Sequence, residues 1–223
     1  MPMNKSVSCA RAVEMIPDGS SLMIGGFMGV GSPHRVIAEI VLQGRRDLTV
    51  IANDAGLPDY GIGRLIRARL IRKLVATHIG LNSEAQQQML AGEIEVELSP
   101  QGTLAERIRA GGFGLGGVLT PTGLGTLAAE NKPTVEIDGR CFLLERPMTA
   151  DFAIIAAHRS DYHGNLEYSL TARNFNPVMA QAGRTVIAEP EHIVPIGVIP
   201  PDMVATPFVC VDYIIERCGT NGR

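Results

Sequence analysis

Two side-chain amides and one glycine-dense stretch are the residues of this chain best placed to do chemistry. Asn53 closes the apolar run Leu48 to Ala52, and Gln101 follows the alternating run Ile94 to Leu98 at Ser99-Pro100-Gln101-Gly102. The third feature is Gly25-Gly26-Phe27-Met28-Gly29-Val30-Gly31, in which four glycines fall within seven residues. Glycine is costly to order, so such density marks positive φ angles or close backbone approach. The stretch follows Leu22-Met23-Ile24, which reads as a buried strand. It precedes Ser32-Pro33, the expected N-cap and first-turn proline of a helix from Pro33 to Gln43. Strand, glycine loop and helix N-terminus together aim backbone amides at an anionic or polarised oxygen. Loop amides, Asn53 and Gln101 are uncharged donors. Such a set suits an oxyanion developing on a carbonyl or thioester, where each preorganised donor contributes roughly 3 kcal/mol. No nucleophile stands beside a base, and neither a Gly-x-Ser-x-Gly elbow nor a Walker loop is present. These residues describe half of an active site.

Each feature has a plainer alternative. The glycine loop can be a purely structural strand-to-helix turn, Gln101 a cap for a helix starting near Thr103, and Asn53 a turn former at a strand end. The glycine order, Gly-x-x-Gly-x-Gly from Gly26 to Gly31, also departs from the dinucleotide fingerprint.

The elements that must position these residues alternate between strand and helix. Val7 to Met15 has apolar residues at helical spacing, and so have Val36, Ile37, Ile40 and Val41, and then Ile62 to Leu70. Arg64, Arg67, Arg69 and Arg72 give the last of these a basic, solvated side. Strands are expected at Leu22–Ile24, Leu48–Ala52, Leu74–Ala76, Ile94–Leu98, Phe152–Ala157, Thr185–Ala188 and Val209–Ile215. Asn82 or Ser83 caps a helix through Leu90, Thr103 to Glu106 reads as a capping box for a helix through Ala110, and Phe175 to Ala182 is a further helix. Thr134 to Leu144 reads as a hairpin turning at Asp138-Gly139. Gly111 to Gly125 has no period and is expected to be a long ordered loop that carries function or meets a partner. No linker or repeat divides the chain, so residues 1–223 are expected to form one α/β domain: a single open, mostly parallel sheet flanked by helices. Gly25-Gly26, Asn53 and Gln101 all follow predicted strands, where open α/β sheets bind ligands.

Composition narrows the function classes. With 223 residues, 45% apolar and 19% charged, the chain has the make-up of a globular enzyme. A net charge of −3, 4% aromatics and no tryptophan leave no footprint for nucleic acid. No apolar run reaches membrane-spanning length and no signal-peptide core is present, so a cytosolic location is expected. Cys9, Cys141, Cys210 and Cys218 are scattered. His158 and His163 are the nearest histidines but straddle a turn at Ser160-Asp161, so neither a disulfide framework nor a metal site is expected.

The run Asp18-Gly19, three apolar residues from Leu22, Gly25-Gly26-Phe27, Gly31 and Pro33 resembles the signature of the α subunit of family I CoA-transferases. The similarity continues at Asn53-Asp54-Ala55-Gly56 and at Pro100-Gln101-Gly102-Thr103 through Gly112. It returns at Thr120-Pro121-Thr122-Gly123, Leu144-Glu145-Arg146-Pro147, Gly164-Asn165-Leu166 and Ala172-Arg173-Asn174-Phe175-Asn176-Pro177. Nearly the whole chain is covered, and the likeness is greatest to transferases acting on acetate, butyrate and acetoacetate.

The resemblance implies a partner β subunit, commonly in an α2β2 tetramer, with coenzyme A as a substrate and no tightly bound cofactor. It implies ping-pong transfer of CoA from an acyl-CoA to a short-chain carboxylate, through an anhydride and a glutamyl-CoA thioester. The glutamate belongs to the β chain, in a Ser-Glu-Asn-Gly turn. By the same resemblance Gln101 is the oxyanion-hole glutamine, Asn53 an active-site asparagine, and Gly25 to Gly31 the CoA-binding segment. Ala129-Glu130-Asn131-Lys132 is superficially like the catalytic turn but lacks its serine and glycine, so Glu130 is not expected to be catalytic. The alternatives are one chain of a 3-oxoadipate CoA-transferase, a sugar-phosphate isomerase of related fold, and a nicotinamide-dependent oxidoreductase, the last disfavoured by the glycine order.

Overall fold

In the computed structural model, which describes residues 5–216, strands and helices alternate along the first half of the chain. They are β1 (Ser6–Val7), α1 (Cys9–Glu14), β2 (Ser21–Ile24), α2 (His34–Gln43), β3 (Leu48–Ala52), α3 (Gly63–Arg67), β4 (Ile71–Ala76), α4 (Ser83–Leu90), β5 (Glu95–Leu98) and α5 (Gln101–Gly112). There follow β6 (Val118–Thr120), β7 (Thr134–Ile137), β8 (Arg140–Glu145), β9 (Ala150–Asp161), β10 (Leu166–Glu167), α6 (Asn176–Ala182), β11 (Gly183–Val194) and β12 (Tyr213–Ile215). The expected ends of the domain, residues 1–4 and 217–223, and with them Cys218, lie outside the described residues.

The main sheet runs β1-β12-β11-β9-β2-β3-β4-β5, with β10 added to β9. Every pair along that path is parallel, and only β10 is antiparallel. The open, mostly parallel sheet is therefore the one expected. Both faces are covered at its centre, which is why β2 and the middle of β9 read as apolar runs, whereas the edge strand β5 alternates and stays partly exposed. Side chains alternate between two cores. Leu22, Ile24, Val50 and Leu74 meet helices α1 to α4 on one face, and Met23, Ile51, Val75 and Ile155 meet α5 and α6 on the other. The predicted hairpin forms as β7 and β8, with Asp138 at φ 50° and Gly139 at φ 71° as a two-residue turn of mirror-image type requires. It pairs with β6 in a separate three-stranded antiparallel sheet.

Several boundaries move for tertiary reasons. Val7 belongs to a strand that pairs with β12, so the first helix starts two residues later, capped by the Ser8 hydroxyl accepting from the Arg11 amide at 3.2 Å. Helix α3 is only five residues long, ended at Ala68 before Arg69 turns to φ 57°. Asn82, not Ser83, caps α4, accepting from the Ala85 amide at 3.0 Å. The predicted capping box at Thr103 does not form: α5 begins at Gln101, Thr103 is buried inside it, and Glu106 pairs with Arg109. Of Gly111 to Gly125, the first two residues finish α5 and Val118–Thr120 become β6. The predicted strand from Val209 is a single 3-10 turn (Phe208–Cys210) followed by β12, because only the last three residues reach the edge of β11.

An ion network joins the main sheet to the small one. Lys73 lies 2.8 Å from Glu95 and 3.1 Å from Glu97, and Arg107 on α5 is 2.9 Å from Glu97. Arg107 also faces Glu145 at 3.8 Å, and Lys132 reaches that buried carboxylate at 2.7 Å. Burial acts to raise the Glu97 carboxyl, but hydrogen bonds from Arg107 and Lys73 outweigh it and hold the group below its ordinary value of 4.5. A depressed folded-state value means that the stabilisation is complete above pH 4.5 and is lost as pH falls below it. The Glu97→Gln variant should therefore show a flatter loss of stability than the wild type between about pH 5 and pH 3, measured by urea denaturation. Parallel curves would remove the network from the acid response.

Candidate active site

The glycine stretch leaves β2 and doubles back on itself. Phe27 and Val30 exchange backbone hydrogen bonds at 3.0 and 2.9 Å, across a turn in which Met28 has φ 49° and Gly29 φ 81°. A Cβ on Gly29 would also lie 2.0 Å from the Tyr60 ring. The His34 ring stacks against Tyr60 at 4.5 Å, and its Nε2 donates to the Gly29 carbonyl at 2.9 Å.

Most of the loop's polar groups are consumed by other parts of the chain. Gly25 donates to the Ile154 carbonyl, Gly26 to Asn174 Oδ1 and Met28 to Asp54 Oδ2. Among the described residues only the amides of Gly29 and Gly31 keep no hydrogen-bond partner between Gly25 and Gly31. The wholly buried Asn176 is the principal clamp. Its Nδ2 donates to the carbonyls of Gly31 (2.9 Å) and Ala172 (2.8 Å), while its Oδ1 accepts from Ala156 (3.0 Å). That oxygen sits 1.8 Å from where a Cβ on Gly25 would be, so position 25 admits no side chain.

The helix N-terminus is taken as well. Ser32 makes no cap; instead Glu189 Oε1 and Oε2, from β11, accept from the amides of Arg35 (3.0 Å) and Val36 (2.8 Å). A carboxylate from another strand thus occupies the anion site that the sequence alone offered to a ligand. The cavity beside it, about 560 Å3, is bordered by Gly29, His34, Arg35, Tyr60 and Glu191.

Asn53 follows β3 and Gln101 follows β5, the two strands that flank β4, and their side chains meet across the end of β4. Gln101 Nε2 donates to Asn53 Oδ1 at 2.7 Å, and Asn53 Nδ2 donates to Asp54 Oδ2 at 3.1 Å. Asp54 also accepts from Gly56 at 2.7 Å, so one buried carboxylate ties the Asn53 turn to Met28 of the glycine loop. Asn53 is fully buried while Gln101, the first residue of α5, is exposed. A primary amide carries two N–H donors, so Gln101 retains one after bonding Asn53. Both line a cavity of about 600 Å3 with Phe27, Arg109, Arg173 and Phe175. Arg109 pairs with Glu106, whereas Arg173 has no ion pair among the described residues. No carboxylate, thiol or imidazole lines this cavity among those residues.

Sequence reasoning missed Arg109, Arg173 and the clamping roles of Asp54, Asn174, Asn176 and Glu189. Asn174 and Asn176 stood in the sequence as part of the segment resembling the family and at the entry to α6, and Glu189 just past a predicted strand, with nothing local to show what each would hold. Histidine pairing also differs: parallel alignment of β9 and β11 sets His158 against His192, not His163. Glu130 is exposed after a 3-10 turn and is not part of the cavity wall.

Residues 7–217 match the family model described as coenzyme A transferase. The chain belongs to the coenzyme A transferase family. It is 49% identical over 211 residues to the alpha chain of the acetate CoA-transferase of Escherichia coli K12, covering 95% of this chain and 96% of that one. It is 47% identical over 200 residues to the alpha chain of the acetoacetyl-CoA:acetate/butyrate CoA transferase of Clostridium acetobutylicum, covering 90% and 92%. In fold it is similar to an acyl-CoA transferase from Escherichia coli O157:H7 solved as a thioester complex with CoA, with a TM-score of 0.86 and 22% identity. That match takes in 96% of this chain and 47% of that one, so this chain spans about half its length. Membership makes this transferase polypeptide one whose chemistry uses CoA as substrate. None of its described helices is long and apolar enough to cross a membrane.

The clamp around the glycine loop makes a quantitative expectation for this transferase chain. Asn176→Ala leaves two carbonyls and one amide unpaired in the interior and should cost about 2–4 kcal/mol. Glu189→Ala uncaps α2 and should cost about 1–2 kcal/mol. Urea denaturation measures both, and losses under about 0.5 kcal/mol would show that the loop holds itself.

Proposed function

We propose that this chain is the α subunit of a two-chain enzyme, commonly an α2β2 tetramer, that moves CoA between a short-chain acyl-CoA and a free carboxylate. Acetoacetyl-CoA and acetate are the pair of choice, since one relative is named for acetate and another, about equally similar, for acetoacetyl-CoA with acetate or butyrate. The observation that carries the reading is the composition of the Gln101 cavity: amide donors and two guanidinium groups, with no carboxylate, thiol or imidazole among the described residues. Such a cavity binds anions and polarises a carbonyl, and needs its nucleophile from another chain.

In this reading a glutamate of the β chain attacks the thioester carbonyl. The tetrahedral oxyanion takes the free N–H of Gln101, a bond that strengthens as charge develops. Asn53 acts through Gln101: it fixes the amide plane from below while Asp54 fixes Asn53. Collapse expels the CoA thiolate and leaves an acyl-glutamyl anhydride. The thiolate then attacks the glutamyl carbonyl, releasing the first carboxylate and leaving glutamyl-CoA, and the acceptor carboxylate runs the same steps backwards. Gly25 to Gly31 border the CoA path, with the amides of Gly29 and Gly31 and the ring of Phe27 as its contacts. Arg173 supports the reading as a cation without an ion pair, among the described residues, facing anionic substrates. The work is assigned to the cytosol.

The test is CoA transfer from acetoacetyl-CoA to acetate by this chain with its β partner. Activity is expected only in the mixture, with a borohydride-sensitive thioester on the partner. Gln101→Ala should lower kcat by about 10²–10³-fold with a smaller effect on KM, and Glu130→Gln should leave turnover unchanged. Turnover by this chain alone, or a fully active Gln101→Ala mixture, would sink the half-site reading.

A further inference from the structure

The ends of β9 and β11 carry a side-chain group that the transfer reading does not use. The two strands pair with Ala157 opposite Pro190 and Arg159 opposite His192, which sets His158 level with Glu191. His158 Nδ1 lies 2.8 Å from Glu191 Oε2. The His192 ring meets the His158 ring edge-on, 5.4 Å between centres and 89° between planes. One ligand-capable atom from each of the three residues lies within 4.8 Å of the other two.

We propose that His158, Glu191 and His192 form a binding site for a divalent transition-metal ion of zinc-like softness. The donor set argues for the class of ion. Two imidazole nitrogens and one carboxylate oxygen suit zinc and its neighbours, whereas calcium and magnesium take oxygen ligands. The spacing is close to what coordination needs: bonds near 2.0–2.1 Å in a tetrahedral site put ligand atoms about 3.4 Å apart. The three side chains are half-buried or exposed, so rotation of χ angles closes the gap without moving the sheet. Their backbones belong to hydrogen-bonded parallel strands, which fixes the separation of His158 from Glu191 more firmly than loops would.

Three protein ligands leave a fourth position for water or an outside ligand. Glu191 also borders the cavity of about 560 Å3 beside Gly29 and Tyr60, so an ion on that carboxylate sits at the cavity rim. None of the three residues lines the Gln101 cavity, although Glu191 shares the cavity beside the glycine loop with Gly29 and Gly31; metal uptake is read independently of transfer.

The test is equilibrium dialysis of the full chain against zinc chloride at neutral pH, with calcium in parallel, for the wild type and for His158→Ala, Glu191→Gln and His192→Ala. The wild type is expected to take up roughly one zinc per chain and to melt at a higher temperature with zinc present. Each variant should bind at least about tenfold more weakly and lose the zinc-dependent rise, while His163→Ala behaves as the wild type. No uptake by the wild type, equal uptake by the three variants, or calcium bound as tightly as zinc would each overturn the proposal.

Discussion

The site depends on one buried amide. Asn176 fills the space that a side chain on Gly25 would need, and it bonds in three directions at once: to Gly31, to Ala172 and to Ala156 on the central strand β9. The glycine loop is then held by contacts from residues far along the chain rather than by its own turns. Asn174 holds Gly26 and Val30, Asp54 holds Met28, and Glu189 holds the helix that follows. The Cβ space of each loop glycine is occupied by another residue: Asn176 at Gly25, Ser32 at Gly26, Tyr60 at Gly29 and Ala172 at Gly31. The loop is packed and bonded on several sides.

Rigidity matters for oxyanion chemistry, because a donor contributes most when it need not reorganise as charge develops. In the proposed reading the Gln101 amide is such a donor. It stands exposed at the start of α5, where a long side chain would sample several rotamers, yet a 2.7 Å hydrogen bond to a fully buried Asn53 sets its orientation. Asn53 in turn leans on Asp54, whose carboxylate also bonds the glycine loop. The two conspicuous features of the sequence are therefore one connected structure.

The same arrangement explains a helix N-terminus that is closed to ligands. A glycine loop running into a helix suggests an anion site, and the geometry does make one, but Glu189 fills it. The cavity proposed for the transfer chemistry is a separate one, where Phe27, Gln101, Arg109 and Arg173 meet. The antiparallel sheet of β6, β7 and β8 is joined to the main sheet by the Arg107, Glu97 and Glu145 network, which couples α5, the helix bearing Gln101, to the added sheet.

The sequence by itself determined the strands β2, β3, β4, β5, β9 and β11, the turn at Asp138-Gly139, the parallel sheet, and the placing of the glycine loop, Asn53 and Gln101 after strands. Those features follow from local periodicity, from φ preferences, and from the rule that parallel strands end at the ligand edge. Only tertiary structure decided which amides stayed free. The partners of Gly26, Gly31 and Arg35 lie more than a hundred residues away and carry no local pattern. The start of α5 at Gln101 instead of Thr103, the short β12, and the meeting of His158 with Glu191 and His192 have the same origin. Each depends on which strands pair and in what register, and that is settled by burial over the whole sheet.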